Sequence, residues 1–81
     1  MNIQLKLFAV AKQLAGRDSL ALELPENAVI RDVRRALGEQ VPPLRPLLAS
    51  LAFAVNAEYA LDDAPVPADA DVACIPPVSG G

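Results

Sequence analysis

Few side chains in this 81-residue chain are equipped for covalent chemistry. It contains no histidine, so neither an ordinary nucleophile–base triad nor a structural zinc site can be assembled in the usual way. Its one cysteine, Cys74, has no basic partner in sequence and stands two residues after Val72, in strand register with it. That spacing predicts a packed thiol rather than a nucleophile. One cysteine also rules out an internal disulfide. The carboxylates after Arg45 (Glu58, Asp62, Asp63, Asp69 and Asp71) fall in turn-rich sequence with no sign of a buried acid–base pair. No glycine-rich phosphate loop is present. What remains is backbone: the chain closes on Pro76-Pro77-Val78-Ser79-Gly80-Gly81, and the group available for chemistry there is a carboxylate on Gly81.

The residues before that carboxylate are suited to presenting it. Proline locks its own φ and pushes the residue before it into extended backbone, so Ile75-Pro76-Pro77 is expected to leave the body straight and stiff. Five residues from Pro77 onward extend about 16–18 Å, enough to reach from a docking surface into a deep pocket. Glycine at 80 provides clearance in a narrow channel, and glycine at 81 leaves the carboxylate uncrowded. Any acid, base or phosphate-binding side chain must then come from another protein. The competing reading is an inert tail on a binding module.

The elements that must hold this tail are legible from periodicity. Ile3, Leu5 and Leu7 alternate with Gln4, Lys6 and Phe8, the pattern of a half-buried strand. Ala11 to Ala15 reads as a helical turn closed by Gly16. Leu20, Leu22 and Leu24 form a second strand ending at Pro25, making a hairpin with an enlarged loop. Asn27 can take a left-handed turn conformation. Ile30, Val33, Ala36, Leu37 and Val41 then recur at helical spacing, with Arg31, Asp32, Arg34, Arg35 and Glu39 expected outside. Pro42-Pro43 ends that helix, and Leu44, Leu47, Leu48 and Leu51 cover the core through an irregular or short helical segment. Ala52 to Asn56 is a strand with Glu58-Tyr59-Ala60 as its return. Tyr59 is expected to pack. Leu61 to Asp71 is a run of turns, and Val72 to Ile75 is the last strand. The order β-β-α-β-β-β predicts an α+β roll with one helix across a mixed sheet.

Length allows a single domain, with residues 1–76 as the folded body and 77–81 as the extended tail. An apolar fraction of 53% supplies a core without staples. No stretch has the roughly 18 apolar residues of a membrane span, and the N-terminal alternation is unlike a signal peptide. The expected location is cytoplasmic and reduced. Seven basic residues against five acidic ones up to Arg45 leave that part at +2, and the remainder carries −5. The net charge of −3 argues against nucleic acid. The acidic end either steers a basic protein partner or is simply solvated.

The ending CIPPVSGG, with Phe8-Ala9 at the first strand and Ala54-Val55-Asn56 before the acidic turns, resembles the small subunits of molybdopterin synthase, members of the ubiquitin-like β-grasp sulfur carriers. The resemblance spans essentially the whole chain, and PPVSGG is its most specific part. It implies a β-grasp roll with a mixed sheet of about five strands, the first and last side by side and parallel. It also implies that a ubiquitin-activating-like adenylyltransferase uses ATP to adenylate the Gly81 carboxylate, which then becomes a thiocarboxylate. The implied acceptor is cyclic pyranopterin monophosphate, held by the synthase large subunit in a heterotetramer. No bound cofactor, metal, nucleic acid or membrane is implied. Three positions depart from the family pattern. Cys74-Ile75 stands where aromatic residues are usual, Ala68-Asp69-Ala70 replaces Asp-Gly-Asp with Asp69 able to turn left-handed, and Val29 replaces a capping threonine.

A docking surface follows from strand parity. If Leu7 and Val72 face the helix, Phe8 and Ile75 lie on the opposite face near the root of the tail. Phe8, Ile75, Pro76, Pro77, Val78 and Ser79 are the expected partner-binding residues, with an acidic rim around them. Phe8 and Ile75 could instead be covered by Val10 or the proline-rich loops. Lys12 and Arg17 read as solvated loop charge. The same fold and ending also fit a carrier for thiamine, cysteine or tRNA thiolation, or a ubiquitin-like modifier joined to lysines through Gly81.

Overall fold

The structure is a computed structural model and describes residues 1–77. Val78, Ser79, Gly80 and Gly81, all named above as site residues, lie outside the described residues.

Among the described residues, five strands, β1 (Asn2–Leu7), β2 (Ser19–Glu23), β3 (Ala52–Val55), β4 (Glu58–Ala60) and β5 (Val72–Ile75), form one mixed sheet in the order β2-β1-β5-β3-β4. Strands β1 and β2 are an antiparallel hairpin in which Leu5 faces Leu20 and Ile3 faces Leu22. Strand β3 pairs antiparallel with both β4 and the central β5. Strands β1 and β5 run parallel, with Leu5 level with Val72 and Leu7 level with Cys74. The first and last strands are therefore neighbours, as the β-grasp resemblance implies.

Strand parity divides the sheet into two faces. Ile3, Leu5, Leu7, Leu20, Leu22, Phe53, Val72 and Cys74 are buried inward, where they meet Ile30, Val33 and Leu37 of helix α2 (Ile30–Gln40). The 3-10 segment Pro42–Ser50 adds Leu44 to this core, with Leu47 and Leu48 packed at its margin. Truncating a fully buried leucine such as Leu5 or Leu37 would cost about 2–5 kcal/mol. Among the described residues, no helix is long and apolar enough to cross a membrane.

Helix α2 starts without a capping side chain, because Val29 occupies the N-cap. Its first donors are satisfied from elsewhere. The Ile30 and Arg31 amides donate to the Ala64 and Asp62 carbonyls at 3.0 and 2.9 Å. The Asp32 carboxylate accepts the Val29 amide at 2.9 Å. The acidic turn segment is thereby stitched to the start of the helix.

Five expectations need correction. Arg34 does not face outward into solvent. Its guanidinium donates to the Leu48 carbonyl, to the Leu51 carbonyl at 2.8 Å and to Asp62 at 2.7 Å, and lies 5.0 Å from the centre of the Phe53 ring. Asp32, whose carboxylate folds back on the helix end, is likewise half-buried. Asp69 is not left-handed; among the described residues, the non-glycine ones with positive φ are Ala9, Asn27, Asn56 and Ala57. Tyr59 does not pack inside, being 74% exposed. Lys12 sits on helix α1 (Ala9–Ala15) rather than in a loop, 3.0 Å from Asp18, with both side chains exposed.

Candidate functional site

The parallel pairing of β1 and β5 sets where the chain leaves the sheet. Leu7 is level with Cys74, so Phe8 and Ile75 stand one step beyond, both on the face opposite α2. Pro76 follows and is buried, whereas Pro77 is exposed. The stem is thus anchored at Pro76 within this chain, and Pro77 is the first of its residues offered to solvent.

The outward face has a defined relief. One row of register partners crosses the sheet from Lys6 through Ala73 and Ala54 to Tyr59. Two alanines in the centre, with larger side chains on either side, leave a depression of about 400 Å³. Phe8, Lys6, Tyr59 and Ile75 border it, together with Asp71. Phe8 is 48% exposed and also lines a second depression of about 520 Å³ with Lys6, Lys12 and Asp18. Phe8 is therefore a ridge between two hollows and is covered by neither Val10 nor the proline-rich segment. Ile75 is half-buried beside it.

The rim is mixed in charge rather than simply acidic. Lys6 lies 3.9 Å from Asp71, both well exposed. Such a pair contributes little to stability, at most about 1 kcal/mol. The Asp71 backbone is fixed more firmly: its amide donates to the Asn56 side-chain oxygen at 3.0 Å, and its carbonyl accepts the Asn56 amide at 2.8 Å. The β3–β4 turn thus clamps the entry to β5, the strand that carries the stem.

Cys74 contributes no reactive thiol. It is fully buried, and burial pushes its thiol up from an ordinary 9.0 to about 11, with the Arg34 charge acting in the opposite direction. At neutral pH it is a protonated core residue under the root of the tail.

Sequence reasoning missed Tyr59 and the 80%-exposed Leu61 at the β4 edge of this face. The usable signal was the small pair Ala54 and Ala73. Once both are placed outward by parity, the residue opposite Ala54 has to border the hollow they leave.

Comparison with known proteins agrees with this architecture. Residues 5–81 match the ThiS family. The molybdopterin synthase sulfur carrier subunit of Arabidopsis thaliana is 33% identical over 81 residues, covering 100% of this chain and 84% of that protein. The subunit of the same name from Chlamydomonas reinhardtii is 34% identical and covered end to end, as is this chain. Among solved structures, the small archaeal modifier protein 1 of Haloferax volcanii superposes with a TM-score of 0.86 at 26% identity, over the full length of both chains. Its sheet, its helix and its match to these relatives place the protein in one group: this chain belongs to the ThiS family.

Proposed function

We propose that this protein is the sulfur carrier subunit of a molybdopterin synthase, acting through the carboxylate of Gly81. The observation that carries the reading is the parallel β1–β5 pairing, which puts an exposed apolar ridge, Phe8, beside the strand that ends in the stem. The names of the curated relatives support the choice of pathway.

The chemistry follows from what a carboxylate lacks. It is a poor electrophile until one of its oxygens attacks the α-phosphorus of ATP, which releases pyrophosphate and leaves a mixed anhydride with AMP. A sulfide-level donor then displaces AMP and leaves a thiocarboxylate, a soft nucleophile that holds sulfur at neutral pH. Both steps take place on a ubiquitin-activating-like adenylyltransferase. Each loaded tail enters the synthase large subunit and gives one sulfur to cyclic pyranopterin monophosphate. Water cleaves the acyl–sulfur bond and returns Gly81 to a carboxylate, so that two loaded carriers in turn build the dithiolene. Val78 and Ser79 line the way in, Gly80 gives clearance, and Phe8, Ile75, Pro76 and Pro77 form or brace the contact outside. ATP and pterin are held by these partners, in the cytoplasm.

Intact mass after incubation with adenylyltransferase, ATP and a sulfur donor tests the reading. A sulfur-for-oxygen gain is expected, followed by its loss on adding large subunit and pterin substrate. A second reading, modification of other proteins through Gly81, draws on the likeness to the archaeal modifier protein. It predicts lysine conjugates in the same reaction instead.

A further inference from the structure

We propose that Ala9 is a positioning residue for docking: held at positive φ, it confines the backbone that presents the Phe8 ring, and this confinement strengthens binding to the synthase large subunit. The proposal rests on the reading that the Phe8 ridge docks that subunit, and it adds the residue that keeps the ridge in place.

First, the chain is strained beside Phe8. Of the four described non-glycine residues at positive φ, Asn27 and Asn56 are of a type that tolerates it, whereas Ala9 and Ala57 adopt it only at a cost relative to glycine. Each of these alanines lines one of the two hollows that flank Phe8: Ala9 the larger, with Lys6 and Lys12, and Ala57 the smaller, with Tyr59. The tight β3–β4 hairpin accounts for Ala57. Ala9, at φ 52°, opens α1, and glycine would make the same turn without strain, as Gly16 does at φ 73° where the helix ends. Strain of this kind persists only where its surroundings impose it, and it gathers at binding sites.

Second, little but backbone holds Phe8. It lies just past β1, which ends at Leu7, and its ring is 48% exposed, so core packing does not fix it. On one side, the Leu7 amide donates to the Asp18 carbonyl at 2.8 Å. On the other, the Phe8 carbonyl accepts the Ala11 and Lys12 amides at 3.1 and 3.4 Å. The peptide between Phe8 and Ala9 keeps that orientation only while Ala9 stays left-handed, because a swing of φ there turns the segment that carries both donors.

What joins the two is the width of a conformational well. L-alanine has a small left-handed region, so its φ can wander little from 52°. Glycine has a broad one that runs on into mirror-β backbone. An exposed aromatic anchor binds best when little of its freedom is left to lose on contact. Alanine at position 9 is thus the less stable choice for the fold and the better one for presenting Phe8.

The test titrates the full chain calorimetrically against a purified molybdopterin synthase large subunit, as the parent, as Ala9→Gly, with D-alanine placed at position 9 by chemical ligation, and as Phe8→Asp. Ala9→Gly should melt about 2–4 °C higher yet bind about three- to ten-fold more weakly, the loss appearing in the entropy of binding. A residue with a purely structural role would not move stability and affinity in opposite directions. D-alanine sits at positive φ without strain and in a narrow well, so that chain should also melt higher and keep parental affinity. Parental affinity in Ala9→Gly while Phe8→Asp is weakened would overturn the positioning role and leave the carrier reading standing. A lower melting temperature for Ala9→Gly, or equal weakening by glycine and D-alanine, would overturn it as well. No binding by the parent chain would overturn both readings.

Discussion

Phe8 and Ile75 stand on the same face of two adjacent parallel strands, one step beyond the Leu7–Cys74 register pair, and border the same hollow. One belongs to the start of the chain and the other to its last strand. The pairing that completes the core therefore also builds the surface from which the tail departs.

Phe8→Asp is expected to leave the fold intact and break the complex. The side chain is about half exposed and adjoins hollows rather than core, so its change in stability should stay within about 1 kcal/mol. As an aromatic anchor at an interface it should cost about 2 kcal/mol or more in binding, roughly thirty-fold in Kd. Calorimetric titration with the large subunit, beside a urea melt, separates the two effects.

Arg34 is expected to behave in the opposite way. It satisfies two carbonyls of the 3-10 segment and its exit, pairs with Asp62 and covers the Phe53 ring. Arg34→Ala leaves those acceptors without their donor and should cost about 2–4 kcal/mol in urea unfolding. Asp62→Asn keeps an acceptor at the same place and should cost only about 1 kcal/mol.

That contrast shows where the sequence was informative. The alternation in β1 and β2 was legible because one face of the sheet is buried and the other is not, so period two maps directly onto burial. The spacing of Ile30, Val33 and Leu37 was legible for the same reason at period 3.6. Arg34 was not, because helical position alone puts it at a boundary, and its partners lie 14 to 28 residues away in segments without periodicity. A long arginine can cross from that boundary to buried carbonyls. Tyr59 escaped because a three-residue edge strand gives too few positions to establish parity. Of the proposed site, Phe8 and Ile75 could be placed by parity from their neighbours, whereas burial of Pro76 depends on what packs beneath the end of β5.

Ala57→Gly should stabilise the protein. The β3–β4 turn holds Asn56 and Ala57 at φ of 50° and 70°, the left-handed pair that a tight two-residue hairpin demands. Asparagine tolerates that conformation, while alanine pays about 1 kcal/mol relative to glycine. Part of the gain returns as unfolded-chain entropy, so a net rise of about 0.5 kcal/mol is expected in the urea midpoint, without a change in slope.

Stability should fall at alkaline pH through Cys74. Its folded thiol titrates at about 11 against an ordinary 9.0, so the folded state prefers the protonated form. That preference is fully present below pH 9 and is lost as pH rises from 9 to 11. The change is roughly 2–3 kcal/mol across the window. Cys74→Ala should start lower because it loses packing, yet show a shallower decline over the same range. The same burial predicts that a disulfide reagent such as Ellman's leaves the native thiol unmodified at neutral pH and labels it only on unfolding.

Intact mass of the chain after reaction with adenylyltransferase, ATP and a sulfur donor tests the central claim most directly, run beside a variant lacking Gly81. The parent should exchange one oxygen for sulfur, localised to Gly81 by fragmentation, while the shortened variant, equally stable, should remain unchanged. A gain that persists without Gly81, or a parent chain that stays at its original mass while a known carrier is loaded in the same mixture, would contradict it.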